Sequence, residues 1–178
     1  RNGEKILNIP ILSSFESLLT NIKINDTNFA VTVGDNKKRN AIAEIIRAKC
    51  GITPNLIHPS SYISTSAKIG KGTFIHAYGY IWTKVIMGDD CILGPHSLVG
   101  HHSEVKDSCY ITSHSIIGSY STIGKNTFIG LNSVILPKIT LGKNCYLGAK
   151  SNVTKSFPEN SKVKGNPARK YPPLLDLN

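Results

Sequence analysis

The apolar residues in the middle of the chain recur with a period of six. From residue 57 to residue 158, seventeen consecutive hexads all begin with Ile, Leu, Val or Met. The second position of each hexad is often Gly, and the fifth is mostly Ser, Thr, Ala, Gly or Cys. Neither the 3.6-residue period of a helix nor the two-residue alternation of a flat strand produces this pattern. An unbroken period of this kind predicts a solenoid.

A triangular parallel β-helix with three hexads per turn accounts for the residue types at these positions. The aliphatic first residue points inward from a flat face, and the small fifth residue fits a tight corner where a bulky side chain would clash. Val85 and Ile139 are larger residues at the fifth position. Residues three hexads apart then stack along the axis at the spacing of paired strands, about 4.8 Å. We therefore predict a mainly β fold.

The residues before the repeat predict a strand, a turn and a helix. Residues 29–33 are apolar and β-branched, residues 34–36 supply a turn and a helix cap, and a helical stripe with a basic end follows. The stripe consists of Ala41, Ile42, Ile45, Ile46 and Lys49. A second helix is expected over residues 14–21. Together these elements predict part of a small Rossmann-like α/β domain, with its first strand and glycine turn upstream of Arg1.

The net charge of +10 narrows the range of partners. The sequence has no nucleic-acid-binding motif and few aromatic residues to stack on bases, so nucleic acid is not an expected partner. A basic protein also suits small polyanions such as nucleotide sugars and coenzyme A. The lysines gather near the C-terminus, which favours a localised phosphate site. The apolar runs are too short to span a bilayer, so we expect no membrane insertion.

Three of the four cysteines stand at the fifth position of a hexad. They are Cys91, Cys109 and Cys145, and no CxxC pair is present. We interpret them as small buried corner residues in a reducing cytoplasm, rather than as disulfides or metal ligands.

The hexads resemble those of the hexapeptide-repeat acyltransferases, and the end of the repeat strengthens the resemblance. This family commonly closes its β-helix with a run ending in "GNPAR", which stands here at residues 165–169. The segments "GDNKKR" at the start of the helix and "LIHPSSYIS" leading into the hexads are similar to one subfamily in particular. It comprises sialic-acid O-acetyltransferases and nucleotide-amino-sugar N-acetyltransferases of the bacillosamine and perosamine type. Its N-terminal glycine-and-histidine motif, which helps to hold the nucleotide sugar, is missing here.

The resemblance implies both an architecture and an activity. The β-helix would be left-handed and the protein a homotrimer. Residues 1–56 would form a partial α/β nucleotide-sugar-binding domain, residues 57–156 the acyltransferase domain and residues 157–178 a C-terminal tail. The activity implied is transfer of an acetyl group from acetyl-CoA to an amino or hydroxyl group of a sugar, in particular a nucleotide-linked amino sugar used for surface glycans. No metal would be required, and the protein would be cytoplasmic.

The hexad "VGHHSE" contains the candidate catalytic residues His101 and His102. The subfamily carries its catalytic histidine at the third position of such a hexad, where His101 stands, and an acidic residue next, where His102 stands. An imidazole with a pKa near ~6.5 is mostly neutral at cytoplasmic pH and able to accept a proton. Support for that base would come from Glu104, Asp107 or a residue of another subunit, or be absent. His102 itself would tune His101, contact substrate or be solvated.

Other candidate residues surround substrate and cofactor. His96 and His114 are 18 residues apart and should stack on one edge, either lining a cleft between subunits or simply as polar turn residues. The turn of Gly34, Asp35 and Asn36 opens a helix, whose N-terminal amides would favour an anion of the nucleotide sugar or need only a cap. The resemblance places the pantetheine arm of acetyl-CoA near Gly130, Gly148 and Ala149. The basic residues clustered close behind would neutralise its phosphates or be ordinary solvated side chains, and they include Lys150, Lys155 and Arg169.

Two alternatives come from other functional classes. Trimeric hexapeptide proteins of the gamma carbonic anhydrase type bind a metal with three histidines across a subunit interface, two of them in an HxxxxH spacing. His96 and His101 have that spacing and His76 lies upstream, but their positions within the hexads differ from that family's pattern. The other alternative is a non-catalytic trimeric scaffold that binds sugars.

Overall fold

The structure is a computed structural model that describes residues 4–10, 14–15, 25 and 27–171. It begins with a short antiparallel hairpin of β1 (Lys5–Ile6) and β2 (Ile9–Pro10). The helix predicted over residues 14–21 lies mostly outside the described residues. Within those ranges, no helix has the length and apolar character to cross a membrane.

The helix predicted before the repeat is confirmed as α1 (Asn36–Ala48). Asp35 caps it, and its side chain accepts a hydrogen bond of 2.9 Å from the backbone N–H of Lys38. This bond is the main reason that the pKa of Asp35 lies below its usual value.

The buried side of α1 consists of Arg39, Ala43 and Ile46. Of the apolar residues in the predicted stripe, Ile46 is buried and Ile42 is half-buried, whereas Ala41 and Ile45 are exposed. The buried side of the helix thus includes an arginine, which a pattern of apolar residues does not predict.

The segment expected as a strand over residues 29–33 does not form a regular strand. Among the described residues, a parallel bridge between Asn28 and Ile52 is the backbone pairing next to this segment. Next to this bridge, the N–H of Phe29 donates to the carbonyl of Ile52 at 2.8 Å. A regular strand needs a partner backbone along its length, and this bridge pairs only one residue on each side. The Rossmann-like character of this part and the three domain boundaries stay predictions.

The repeat folds into a parallel β-helix with three faces, as predicted. The first face consists of β3 (Leu56–Ile57), β6 (Phe74–Ile75), β9 (Ile92–Leu93), β12 (Tyr110–Ile111), β15 (Phe128–Ile129), β18 (Tyr146–Leu147), β20 (Lys162–Lys164) and β21 (Arg169–Lys170). The second face consists of β4 (Tyr62–Ile63), β7 (Tyr80–Ile81), β10 (Leu98–Val99), β13 (Ile116–Ile117), β16 (Val134–Ile135) and β19 (Asn152–Val153). The third face consists of β5 (Lys68–Ile69), β8 (Ile86–Met87), β11 (Glu104–Val105), β14 (Thr122–Ile123) and β17 (Thr140–Leu141).

Adjacent coils pair in register, with partners such as Val99 and Ile117 directly opposite each other. The first residue of each hexad forms the core, and the side chains at this position from Ile75 to Val153 are 1% exposed or less. The first coil is less enclosed, because Ile57 at its inward position is 46% exposed. The left-handed winding stays a prediction from the resemblance.

The fifth position of the hexad is buried at the corners, and its hydroxyl groups connect successive coils. The hydroxyl of Ser103 donates to the carbonyl of Gly118 at 3.0 Å and accepts from the N–H of Ser121 at 3.1 Å. Small polar residues are therefore favoured because they satisfy buried backbone groups as well as fitting the space. The predicted burial of the corner cysteines is confirmed for Cys91, Cys109 and Cys145.

We name the corners by the strands that precede them. The first corner follows the strands of the first face, the second corner those of the second face, and the third corner those of the third face. From Gly72 to Lys150 the fourth hexad residue at these corners has a positive φ, which is 59° at His102 and 55° at His96. Histidine and asparagine adopt this conformation more readily than most residues, so their presence here has a local cause.

Helix α1 packs on the third corner through a buried arginine. Arg39 is 0% exposed and donates to the backbone carbonyls of Asp90 and Ser108 at 2.9 and 3.1 Å. Burial is the main cause that lowers the pKa of its guanidinium. Beside it, Arg47 binds both carboxylate oxygens of the buried Asp90, at 2.9 and 2.7 Å. These contacts fix the helix against the β-helix.

Candidate active site

His101 and His102 lie at the second corner, directly after β10, and their rings are in contact. Nδ1 of His101 is 3.0 Å from Nδ1 of His102. Two ring nitrogens at this distance need one N–H between them, since two lone pairs would repel. His101 is partly buried and His102 is exposed. The two residues predicted as catalytic therefore form one hydrogen-bonded unit.

Two aromatic rings from neighbouring coils enclose this pair. The ring of Trp82 stacks on His101, with centroids 5.8 Å apart and 18° between the planes. Tyr120 stacks on His102 at 4.9 Å and 18°, and meets His101 edge-on at 5.2 Å and 87°. Neither ring was among the residues predicted from the sequence. A signal was present, because Tyr120 follows His102 by 18 residues, which is one coil.

The two nearby carboxylates considered as support for His101 have other partners. Glu104 forms an ion pair with Lys106. Asp107 lies at the third corner, where it accepts a hydrogen bond of 3.1 Å from the N–H of Asp89. Within the described part of the chain, the side chain that holds Nδ1 of His101 is therefore that of His102.

His96 and His114 stack at the first corner, as predicted. Their ring centroids are 4.9 Å apart with 17° between the planes. Tyr78 extends the stack, with its ring 4.7 Å from that of His96. All three residues are exposed. This ring ladder (Tyr78, His96 and His114) lies at the other end of the second face from His101, so within one chain the two groups belong to different corners.

The first group of residues assigned to acetyl-CoA lies at the first corner. Gly130, Gly148, Ala149 and Lys150 all belong to its last two turns. A side chain at Gly130 would collide with the next coil, since an added Cβ would lie 2.5 Å from the backbone nitrogen of Ala149. Close stacking of coils is thus a structural reason for glycine at this position.

The second group gathers at the C-terminal end of the β-helix. Lys155 and Arg169 line a pocket of about 340 Å³ together with Phe157 and Lys170. The ammonium group of Lys155 lies 5.8 Å from the centre of the Phe157 ring. Lys155 stands at the second corner in the same column as His101, three coils further along. A basic pocket and the histidine pair therefore share one edge of the molecule.

The turn before α1 has structural contacts of its own. Asp35 is exposed and caps the helix. The side-chain amide of Asn36 donates to the carbonyls of Asn126 and Thr127, both at 3.2 Å. An added Cβ at Gly34 would meet nothing within 4 Å, so the space beside this turn is open. The assignment of Gly34, Asp35 and Asn36 to substrate stays a prediction.

The outward residues of the second face form an apolar row. Tyr62, Tyr80 and Ile116 are 51%, 37% and 42% exposed, and Leu98 and Val134 continue the row. The rings of Tyr62 and Tyr80 stack with centroids 4.4 Å apart. The second face is thus an exposed apolar surface that ends in the two corners described above.

The other two faces differ from it. On the first face, the exposed apolar residues Leu56 and Tyr146 are separated by the buried outward residues Phe74 and Ile92. The outward row of the third face is more polar and consists of Lys68, Ile86, Glu104, Thr122 and Thr140. Exposed apolar area is therefore most continuous on the second face.

The structure also bears on the metal-dependent alternative. His96 lies at the first corner and His101 at the second, so within one chain the HxxxxH spacing leaves these side chains at different corners, and only a contact between subunits would bring them together. Among the described residues, no group of three or more His, Cys, Asp or Glu side chains could hold a metal ion.

The repeat is recognised in comparison with known families. Residues 66–101 and 120–155 match the family described as bacterial transferase hexapeptide (six repeats). The repeat predicted from the sequence is thereby confirmed. Among curated proteins, no match is found.

Several solved structures share the fold. A variant of perosamine N-acetyltransferase from Caulobacter crescentus, in complex with CoA and GDP-perosamine, has a TM-score of 0.92 and 23% identity over 96% of this chain and 81% of its own. The acetyltransferase domain of PglB from Neisseria gonorrhoeae, in complex with acetyl coenzyme A, has a TM-score of 0.91 and 25% identity over 96% and 83%. A variant of AntD, an N-acyltransferase from Bacillus cereus in complex with dTDP and coenzyme A, has a TM-score of 0.56 and 21% identity over 71% and 86%. The predicted resemblance to sugar N-acetyltransferases is confirmed.

Proposed function

We propose that this protein transfers the acetyl group of acetyl-CoA to the amino group of a nucleotide-linked sugar, with His101 as the general base. The observation that carries the proposal is the His101–His102 contact of 3.0 Å on this fold. With its Nδ1 held by His102, the imidazole of His101 has its other nitrogen, Nε2, available to a substrate. Two of the similar structures are N-acyltransferases in complex with CoA and a nucleotide or nucleotide sugar, which favours an amine over a hydroxyl as acceptor.

The chemistry needs one proton acceptor and one oxyanion-binding group. The neutral sugar amine attacks the thioester carbonyl, and a C–N bond forms as the carbonyl oxygen becomes an oxyanion. Nε2 of His101 takes the proton from the attacking nitrogen. The C–S bond then breaks, and the proton passes to the leaving thiolate to give free CoA. Backbone N–H groups at the cleft stabilise the oxyanion, which is usually a large share of such catalysis.

The complete site requires a second copy of the chain. The apolar row on the second face is exposed in one chain, and a symmetric ring of three copies would bury it. In a ring with head-to-tail contacts, the second corner of one copy meets the first corner of the next. His101 of one subunit then faces the ring ladder of its neighbour, although within one chain the two lie at opposite ends of one face.

The two groups of acetyl-CoA residues fit the same arrangement. Lys155 and Arg169 provide positive charge for the CoA phosphates at the C-terminal end of the second corner. Gly130, Gly148 and Ala149 come from the first corner of the neighbouring copy and flank the pantetheine arm. The four free cysteines suit a reducing cytoplasm as the place of action.

A direct assay tests the proposed activity. The protein is mixed with acetyl-CoA and, one at a time, UDP-, GDP- and dTDP-linked amino sugars, and free CoA thiol is measured together with the mass of the sugar product. We expect one nucleotide class to yield an N-acetylated product with a gain of one acetyl group. If acetyl-CoA does not raise the melting temperature and no amino sugar is acetylated, the proposal is wrong.

A further inference from the structure

We infer that His102 is a positioning residue that takes the place of a carboxylate: its Nδ1 accepts the Nδ1–H of His101 and so keeps Nε2 of His101 unprotonated. This inference rests on the proposed function for its catalytic meaning. Its structural basis is the contact of 3.0 Å between Nδ1 of His101 and Nδ1 of His102. The two rings are chemically identical, so either nitrogen could be the donor.

Two neutral arrangements satisfy this contact. In one, His101 carries the proton on Nδ1 and donates to His102, and Nε2 of His101 keeps a lone pair. In the other, His102 donates, and the proton of neutral His101 must be on Nε2. Only the first arrangement gives a base, because a nitrogen that already carries hydrogen cannot accept the proton of the attacking amine. The direction of this one hydrogen bond therefore decides whether His101 is competent.

The hydrogen bond becomes stronger during the reaction. When Nε2 takes the substrate proton, His101 becomes an imidazolium and its Nδ1–H donates to a neutral acceptor as a charge-assisted bond. An interaction that is stronger at the transition state than in the ground state raises the rate. A neutral imidazole does this without placing a negative charge beside the polyanionic substrates, which suits a protein of net charge +10.

The ring of His102 is held in place by its neighbour in the next coil. Tyr120 stacks on it at 4.9 Å with 18° between the planes, and this contact limits rotation of the His102 ring away from His101. The backbone N–H of His102 donates to the carbonyl of Thr83 at 3.0 Å, so the residue is fixed at both ends. His102 is exposed on its remaining side.

Protonation of His102 would abolish its role, since a protonated ring has no acceptor nitrogen. The titratable groups around it are His101 on its own corner, Lys84 at the same position of the preceding coil, and Tyr120 and then Lys138 in the following coils. Glu104, on the strand that follows, is paired with Lys106. The pair therefore works only where both imidazoles are neutral, and activity should fall at acidic pH.

The first test is the tautomer itself, measured without any turnover. The chain has six histidines, so ¹⁵N-histidine labelling with His101→Ala and His102→Ala as assignment variants is practical. We expect long-range ¹H–¹⁵N spectra at a pH of about 8, well above the usual histidine pKa, to show His101 with hydrogen on Nδ1 and none on Nε2. Hydrogen on Nε2 of His101 in the wild-type protein would overturn the inference, whatever the activity of the enzyme.

The second test is a series of variants at residue 102. His102→Ala should lower kcat/KM about 10- to 100-fold, as loss of a partner that orients an imidazole does in metal sites. His102→Asn should recover most of it, because its amide oxygen accepts the same N–H. His102→Asp should be active, with the acid limb of its pH–rate profile moved to higher pH, because a carboxylate favours the imidazolium.

The outcomes separate this inference from the proposed function. If His101→Ala abolishes turnover while His102→Ala and His102→Asp match the wild-type rate and pH profile, the function stands and the positioning role fails. If the wild-type protein has no acetyltransferase activity, the proposed function fails and the tautomer measurement still decides the hydrogen bond. Lys68→Ala is the surface control, since Lys68 is an exposed residue of the third face and not of the first or second corner.

Discussion

The indole ring of Trp82 lies nearly parallel to the imidazole of His101, with centroids 5.8 Å apart and 18° between the planes. The two residues come from successive coils, and both are at the second corner. The face of an aromatic ring attracts a cation, so this stack would favour the imidazolium that His101 becomes in the proposed proton transfer. The proposed base would therefore be supported by one aromatic face and one neutral acceptor.

Replacement of Trp82 should slow the reaction. Trp82→Leu removes the aromatic face and should lower kcat about 2- to 30-fold, which corresponds to a cation–π contribution of about 0.5–2 kcal/mol. Trp82→Phe keeps a ring and should lose less. Steady-state kinetics with saturating acetyl-CoA measure both. Equal rates for the leucine and phenylalanine variants would show that the ring face has no part in catalysis.

Removal of the base should have a larger effect. His101→Ala should lower turnover about 10²- to 10⁴-fold, which is the usual contribution of general-base catalysis. Its melting temperature should change little, because His101 is only partly buried and lies at a surface corner. Lys68→Ala, on the third face, provides the surface control. Turnover of His101→Ala close to that of the wild type would contradict the assignment.

A charge on the second face should prevent assembly. Ile116 is 42% exposed in the apolar row, and Ile116→Glu would place a carboxylate in the proposed contact between copies. We expect light scattering to show a monomer in place of a trimer, with loss of activity. Ile86 is 49% exposed on the third face, so Ile86→Glu is a matched control that should stay trimeric. A trimer for both variants would exclude the second face as the interface.

Loss of the buried arginine should loosen α1. Arg39→Met would leave several buried carbonyls without a donor, at about 1–3 kcal/mol for each unsatisfied group. We expect a clear fall in melting temperature and faster proteolysis within residues 27–52. Lys38→Met on the exposed side of the same helix is the control. Equal stability of the two variants would mean that Arg39 does not hold the helix.

The cysteines should differ sharply in reactivity. Cys50 is exposed, whereas Cys91, Cys109 and Cys145 are buried. Burial is the main cause that raises the pKa of Cys91 and of Cys145, so less of the reactive thiolate is present there at a given pH. Iodoacetamide at a pH of about 8, close to the pKa of a free thiol, should modify Cys50 alone in the native protein and all the cysteines after denaturation. Mass spectrometry of peptides gives the result, and rapid native labelling of Cys91 would contradict it.

Much of the architecture was predictable from the spacing of residues. The six-residue period identifies the inward residues, such as Ile117 and Ile135, because strand direction and corner shape repeat locally in every coil. It also identifies the small buried corner residues, including Cys109. The helix start at Asp35 follows from a side-chain cap that bonds a backbone N–H within the first turn. These features depend on neighbours in sequence or on one constant repeat.

The wrong predictions have a common cause. Ile45 belongs to the predicted apolar stripe of α1 but is exposed, whereas Arg39, outside the stripe, is buried. An apolar stripe predicts the buried face of a helix poorly when the surface below the helix offers carbonyl groups. Here a guanidinium is buried because it donates to the carbonyls of Asp90 and Ser108. The strand expected over residues 29–33 failed for a similar reason, since a strand exists only where another backbone pairs with it.

The order of residues along the chain was enough to predict the repeat, its core and the position of His101 on a corner, because these follow from a period that every coil obeys. The surroundings of His101 could be learned only from the folded molecule. Its contact with His102, the nearly parallel ring of Trp82 and the stacked ring of Tyr120 depend on side-chain rotamers in three adjacent coils. Rotamers at a corner are selected by packing between coils, and no local pattern of residues specifies that packing.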